Sequence, residues 1–353
     1  MSSLNTRITR LLGCQYPIIQ TAMGWVASPE LVAGTCNAGG FGFLAGATIP
    51  PEDMEAEIIR TKRLTDFGFG VNFHMYQQNA ADIVDMVVDH GVKAVSYSRS
   101  PGKEMIKKLK DNGVVCIPTI GLPKHAIKAV EMGADAVTVQ GGEGGGHTGA
   151  IPTTLLLPQV VNAVGDQVPV LGAGGFKDGR GLVAAMALGA DGIAMGTRFL
   201  MTEESPVPNT TKEQYLACKD PGSIIVSKAL DGLPQRMITN EFLASIEKSG
   251  FAGKTLLAMS SGLKYMKMSG SSPFLLLSSA HKMVKNDGLT WSQAIFSANA
   301  PMIIQKAMVD GSPQDGVLPS GQVAGVIDEL LSCDALIKGI VSEAQETLSR
   351  LNG

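Results

Sequence analysis

No run of about 18 consecutive apolar residues occurs in the 353-residue chain, so no transmembrane helix is expected. The segment Met1 to Gln15 also lacks the continuous apolar core of a signal peptide, because polar and apolar residues alternate there around Arg7 and Arg10. Charge of one sign is missing too. Lys and Arg number 29 against 32 Asp and Glu, the net charge is −3, and no block of like charges occurs. That balance offers no footprint for nucleic acid or for an anionic membrane surface. The five cysteines, Cys14, Cys36, Cys116, Cys218 and Cys333, are far apart and form no C-x-x-C pair, and no histidine stands at metal-ligand spacing. A disulfide framework and a metal centre are therefore not expected. What these absences leave is a reduced, cytoplasmic globular protein whose partner is a small molecule. Formation of a homo-oligomer is compatible with this reading.

What the chain does have is apolar residue and glycine. Hydrophobic residues make up 44% of the sequence, charged ones 17%, and 42 residues are Gly. From Tyr16 onward, short β-rich runs alternate with amphipathic helical patterns, each cycle punctuated by Gly, Pro or Asn. This is how a parallel sheet with crossover helices reads. The expected strands are Pro17 to Thr21, Gly42 to Ala45, Gly68 to Phe73, Ala94 to Tyr97, Val114 to Pro118, Ala136 to Val139, Val168 to Leu171 and Gly192 to Met195. Helical patterns between them include Pro51 to Leu64, Ala80 to His90, Lys103 to Asn112, Lys124 to Met132, Thr153 to Val164 and Gly179 to Leu188. One phrase is reused, Gly133-Ala134-Asp135-Ala136 before the sixth strand and Gly189-Ala190-Asp191-Gly192 before the eighth. Eight cycles in about 185 residues predict an α/β fold, a (β/α)8 TIM barrel, with its site at the C-terminal strand ends.

The stretch Gln140 to Gly149, Q-G-G-E-G-G-G-H-T-G, follows the sixth strand, and six of its ten residues are Gly. Such density is tolerated where positive φ or close approach of backbone to a ligand is required. His147 is its one titratable ring, which makes it the general-base candidate. Gly172 to Gly175 and Gly196-Thr197-Arg198 follow the last two strands, where exposed N–H groups form the usual phosphate pocket of this fold. A phosphate-bearing ligand is expected there. Beyond Leu200 the pattern changes. Thr211 to Cys218 reads as a helix, Ser223 to Asp231 as a β-like run, Asn240 to Val309 as helical, Gly311 to Gly321 as a loop, and Gly321 to Leu351 as a helix pair. We expect a barrel over 1–200, a mainly helical lid over 201–320 and C-terminal helices over 321–353 that pack back on the barrel. Met259, Met266, Met268 and Met283 with Lys254, Lys264, Lys267 and Lys282 suit either an ordinary cap or an apolar pocket rimmed by lysines.

Several motifs carry a family resemblance: Gln20-Thr21-Ala22-Met23-Gly24, Asn37-Ala38-Gly39-Gly40-Phe41-Gly42, Gln140 to His147, Ala173-Gly174-Gly175-Phe176 with Asp178-Gly179-Arg180-Gly181, and Met195-Gly196-Thr197-Arg198-Phe199. Together they resemble the nitronate monooxygenase (2-nitropropane dioxygenase) superfamily of FMN enzymes on a TIM barrel. G-G-E-G-G-G-H-T-G, D-G-L-P-Q-R, L-T-W-S-Q and S-G-Q-V-A-G are most similar to the IpdC-type oxidoreductases of bacterial steroid catabolism, which act on CoA thioesters. The resemblance implies FMN contacts from Ala22, Met23, Gly24, Asn72, Gln140, Gly145, Gly146, Gly174, Gly175, Met195, Gly196 and Thr197. It places His147 on the family's catalytic histidine. Thr119 stands where some relatives have lysine, and Gln140 where some have an acidic residue, so the electron donor does not carry over.

The activity so implied is FMN-dependent oxidation or reduction of the α,β-bond of a cyclic, steroid-derived acyl-CoA. His147 would be the base, flavin N5 the hydride acceptor, and NAD(H) the electron partner. Alternatives stay open. They are a nitronate monooxygenase using O2, a flavin enoyl reductase or NADH:quinone reductase, a flavin-free barrel for a phosphorylated substrate, and a non-catalytic binding protein. Arg99, after the fourth strand, is a further candidate for a ligand phosphate. Glu143 is expected to orient the glycine loop or His147.

Overall fold

The computed structural model describes residues 4–74, 77, 79–98, 102–248 and 291–353. The Lys- and Met-bearing stretch of the expected lid and Arg99 lie outside these residues. The described chain divides into two units. Unit 1 comprises Met1–Gly144, Thr148–Pro206 and Ile327–Gly353, and unit 2 comprises Gly145–His147 and Val207–Val326.

Unit 1 is a closed parallel barrel. Its strands are β1 (Ile18–Gln20), β2 (Phe41–Leu44), β3 (Gly70–His74), β4 (Ala94–Ser98), β5 (Val115–Ile120), β6 (Val137–Gln140), β8 (Val170–Ala173) and β9 (Gly192–Met195). Neighbours follow that order, and β9 closes on β1 with Gln20 opposite Met195. All eight expected strands are therefore present, and the fold is the predicted TIM barrel. Parallel strands are covered on both faces, which is why they read as apolar runs without alternation.

Inward residues such as Ile19, Phe41, Phe43, Ile117 and Leu171 form one core, joined by Ile8 and Leu12 of the helix Arg7–Leu12. That helix, not anticipated from the sequence, packs at the N-terminal end of the barrel. Arg7 donates from Nε and Nη2 to the Asp191 carboxylate at 2.8 and 2.6 Å, and from Nη1 to the Gly165 carbonyl at 2.6 Å. A second unanticipated helix, Pro29–Asn37, starts with Ser28 accepting from the Leu31 N–H at 3.4 Å.

The repeated four-residue phrase does one job twice. Gly133 and Gly189 end their helices at φ +102° and +93°, a left-handed turn that glycine adopts without steric penalty. Two residues on, Asp135 accepts from the Cys116 N–H of β5 at 2.9 Å, and Asp191 from the Val170 N–H of β8 at 3.0 Å. Each aspartate thus ties its incoming strand to the neighbouring one.

The helix Cys333–Leu351 belongs to unit 1. It begins at a Ser332 cap, whose hydroxyl accepts from the Ala335 N–H at 3.1 Å, and packs on the helix Gly179–Ala187. Unit 2 ends in a 3-10 turn, Gln322–Val326, where the sequence suggested an α-helix.

Unit 2 combines helices with an antiparallel sheet. Strands β10 (Ile224–Ser227) and β11 (Gln235–Ile238) form a hairpin, and β12 (Leu318–Pro319) and β7 (Gly146–His147) follow one another along the other edge of β11. The expected loop at Gly311 to Gly321 therefore contributes a strand. Among its described residues the unit also has the helices Asn209–Ala217, Glu241–Lys248 and Trp291–Met308. Its core holds Leu230, Met237, Leu243, Ile303 and Val317. Among the described residues no helix is long and apolar enough to cross a membrane.

Candidate active site

The candidate residues divide between the two units. In unit 1, adjacent strand ends bring together Ala22, Met23 and Gly24 after β1, Gln140 on β6, Gly174 and Gly175 after β8, and Met195, Gly196 and Thr197 at β9. The registers are Gln140 opposite Ala173, Ala173 opposite Ala194, and Met195 opposite Gln20. Asn72 stands apart on β3, where its amide donates to the Ser96 carbonyl and hydroxyl, each at 3.1 Å.

The glycines in this rim are there for space and dihedral. Gly174 and Gly175 sit at φ +98° and +83°, and a Cβ on Gly174 would lie 3.1 Å from the Gly144 nitrogen and the Thr153 hydroxyl. A Cβ on Gly196 would lie 3.2 Å from the Thr21 hydroxyl and 3.4 Å from the Met23 sulfur. Bare backbone at the ends of β8 and β9 fits a ligand that must approach closely, a flat ring bearing a phosphate included. Glu143 braces this rim. It accepts from the Thr153 N–H at 2.9 Å and hydroxyl at 2.7 Å, and so fixes the glycine loop to the start of the helix Thr153–Val164. Of the two roles expected of Glu143, its contacts serve the loop.

Two further residues of unit 1 differ from, or add to, the sequence reading. Arg198, taken with the phosphate loop, is buried. Its Nη1 donates to the Met201 carbonyl at 3.1 Å and the Glu329 carbonyl at 3.3 Å, and burial pulls its pKa down against Glu329 and Asp328. The guanidinium is thus spent on backbone carbonyls. Trp25, which carries no signal in the sequence, is the non-glycine residue with positive φ among those described, at 61°. Its N–H donates to the Thr48 hydroxyl at 3.0 Å. Such strained backbone collects at ligand-binding loops.

His147 lies in unit 2, on the edge strand β7 opposite Gln235. Gly145 approaches the Ser320–Gly321 backbone so closely that a Cβ would lie 2.5 Å from the Gly321 nitrogen, and Gly146 turns at φ +63°. Both assigned glycines therefore shape the strand that carries the histidine. The His147 ring is 60% exposed, and its Nε2 is 2.8 Å from Oδ2 of Asp231, whose side chain is only 8% exposed. Asp231 Oδ2 also accepts from Gln235 Nε2 at 2.6 Å, and Oδ1 from the Leu233 N–H at 2.9 Å. Burial alone would raise this carboxyl's pKa, but the hydrogen bonds from His147, Leu233 and Gln235 and the His147 charge outweigh it and hold it below the usual carboxylate range.

Asp231 and Gln235 were not singled out from the sequence, although both lie in the D-G-L-P-Q-R motif. Among the cysteines, Cys36, Cys116, Cys218 and Cys333 are buried and Cys14 half-buried, and none forms a disulfide. Burial pushes the Cys14, Cys36, Cys116 and Cys333 thiols up to about 12, so none of these four is a thiolate nucleophile at neutral pH.

The nitronate monooxygenase family model matches residues 5–88 and 83–343. Two curated relatives, from Rhodococcus jostii and Mycobacterium tuberculosis, are both named (3aS,4S,5R,7aS)-5-hydroxy-7a-methyl-1-oxo-octahydro-1H-indene-4-carboxyl-CoA dehydrogenase. The first is 47% identical, over 99% of this chain and 99% of the relative, and the second 44%, over 97% and 96%. Among solved structures, FabK from Thermotoga maritima is similar at a TM-score of 0.80 and 30% identity, covering 99% of both chains. With a matching family model along most of its length and near-full-length relatives that are dehydrogenases, this barrel is an oxidoreductase and belongs to the nitronate monooxygenase family.

Proposed function

We propose that the protein is an FMN-dependent, NAD(H)-linked dehydrogenase or reductase acting on the α,β-bond of a cyclic, steroid-derived acyl-CoA thioester. The observation that carries this reading is the similarity, along nearly the whole chain, to two dehydrogenases named for a bicyclic carboxyl-CoA. The rim of unit 1 supports the cofactor. Residues Ala22 to Gly24, Gln140, Gly174, Gly175 and Met195 to Thr197 would hold FMN, with the phosphate at the glycine ends of β8 and β9. When bound, FMN supplies at N5 the acceptor for a hydride.

The chain's own contribution is the proton. The thioester carbonyl acidifies the α-carbon, and His147 takes that proton as hydride leaves the β-carbon. With NAD+ as final electron acceptor the cycle would balance, the hydride equivalent leaving as NADH and the proton passing from His147 to solvent. For reduction of an enoyl thioester the same groups run in reverse, with His147 donating the proton.

His147→Ala is expected to keep bound FMN and lose about 10²- to 10⁴-fold in kcat. A loss below about tenfold in a variant that retains FMN would remove the base role. The nitronate monooxygenase reading is the alternative, favoured by the family model itself. An anaerobic absorbance experiment separates the two. Bleaching of the flavin by NADH and recovery on adding a cyclic enoyl-CoA is the outcome expected here. A flavin untouched by NADH and reduced by a nitronate would establish the alternative.

A further inference from the structure

We propose that Asp231 is the positioning residue for His147, holding the ring in its Nε2–H tautomer and so making Nδ1 the nitrogen that exchanges the substrate proton. The inference rests on His147 being the base.

The geometry is self-consistent. An ionised carboxylate only accepts hydrogen bonds, and the groups at the Asp231 carboxylate include His147 Nε2 at 2.8 Å, Gln235 Nε2 at 2.6 Å and the Leu233 N–H at 2.9 Å. The latter two are fixed donors. The third group at the carboxylate, His147 Nε2, must therefore be N–H as well, which puts the lone pair of the neutral ring on Nδ1.

Burial sets how strong this constraint is. Asp231 is 8% exposed while the histidine ring is 60% exposed. The anchor is dry, while most of the ring surface faces solvent. A buried carboxylate also stabilises the imidazolium that forms when the base is protonated, as in other carboxylate–histidine pairs. The strand pairing adds a second restraint, since His147 lies opposite Gln235 on β11, and Gln235 is itself a donor to Asp231. One short segment, Asp231 to Gln235, thus grips both the backbone and the ring of the histidine.

Asparagine at 231 cannot reproduce the pattern. If its oxygen takes the place of Oδ1, the amide NH2 faces both Gln235 Nε2 and His147 Nε2, and the histidine must turn that nitrogen into an acceptor. If its oxygen takes the place of Oδ2, the NH2 faces the Leu233 N–H. The first arrangement inverts the tautomer and sets the new NH2 against the Gln235 amide, and the second keeps the tautomer but sets the NH2 against the Leu233 N–H. In the serine-protease triad the equivalent change lowers kcat by about 10⁴-fold through the wrong tautomer.

The test is ¹⁵N NMR of the histidine-labelled holoenzyme, with the His147 resonances assigned by their loss in His147→Ala. In the unaltered protein with the ring neutral, His147 should show a protonated Nε2 and an unprotonated Nδ1. Asp231→Asn should invert or mix these signals, lower kcat by about 10²-fold or more, and leave KM within about twofold and bound FMN unchanged. Asp231→Glu, which keeps a carboxylate, should recover part of kcat. An Nδ1–H tautomer in the unaltered protein would overturn the proposal without reference to any variant. So would Asp231→Asn with unchanged kcat and tautomer. Full activity in His147→Ala would instead strike the base reading on which the proposal depends, and the two failures are read from different proteins.

Discussion

Single residues in this protein act mostly by what they exclude. At Gly141 a Cβ would lie 2.0 Å from the Thr153 hydroxyl and 2.5 Å from the Thr153 Cα, so Gly141→Ala should cost at least about 1–3 kcal/mol, read from urea unfolding. Asp231 gives a pH signature with a definite sign. Its folded pKa lies below the ordinary carboxylate range, so its pairing stabilises the fold above the unfolded carboxylate pKa and is lost as pH falls through the lower folded value. The gap in urea midpoint between the unaltered protein and Asp231→Asn should be present at about pH 7 and shrink as pH falls below the ordinary carboxylate range. His147 could be read from the sequence because a glycine stretch follows an apolar run directly. Its partner could not, being 84 residues away in a motif, D-G-L-P-Q-R, that shows a resemblance but not which of its side chains meets the histidine. Arg198 misled for a related reason: a sequence shows that a cation follows a strand, but not that the backbone will consume it.

At the scale of elements, the barrel strands were legible and the sheet of unit 2 largely was not. Strands such as Val137–Gln140 and Val170–Ala173 are buried on nearly all residues, and that burial writes a continuous apolar run into the sequence. By contrast β7 and β12 have two residues each. No period can be read from two residues, and their pairing with β11 is purely a tertiary matter. The helix Cys333–Leu351 shows how much one contact between elements can demand. A Cβ on Gly179 would lie 2.4 Å from both the Ala344 nitrogen and the Ile340 carbonyl oxygen. Gly179→Ala should therefore push the two helices apart and cost about 1–3 kcal/mol, seen as a lower melting midpoint. Ser332→Ala, which removes only the cap on the same helix, should cost about 1 kcal/mol by the same measurement.

For the whole molecule, the candidate residues are shared out between the two units. Residues expected to hold the cofactor phosphate lie in unit 1, while the histidine and the carboxylate that orients it lie in unit 2. The short excursion Gly145–His147 joins a sheet whose other strands come from Ile224 to Pro319. Sequence order conceals this, because the glycine stretch reads as one loop and the fold splits it. Unit 1 is itself interrupted: its final segment, Ile327–Gly353, follows all of unit 2. On the ribosome, all eight barrel strands have been translated once Met195 is reached, yet the helix that covers Gly179–Ala187 is still unmade. A nascent chain stalled at Val326, with all barrel strands clear of the exit tunnel, should expose that apolar helix face to protease and to hydrophobic dye, whereas the released full chain should be protected. Biosynthesis must therefore carry a barrel with one flank bare through the whole translation of 207–326, the interval in which a chaperone has most to shield.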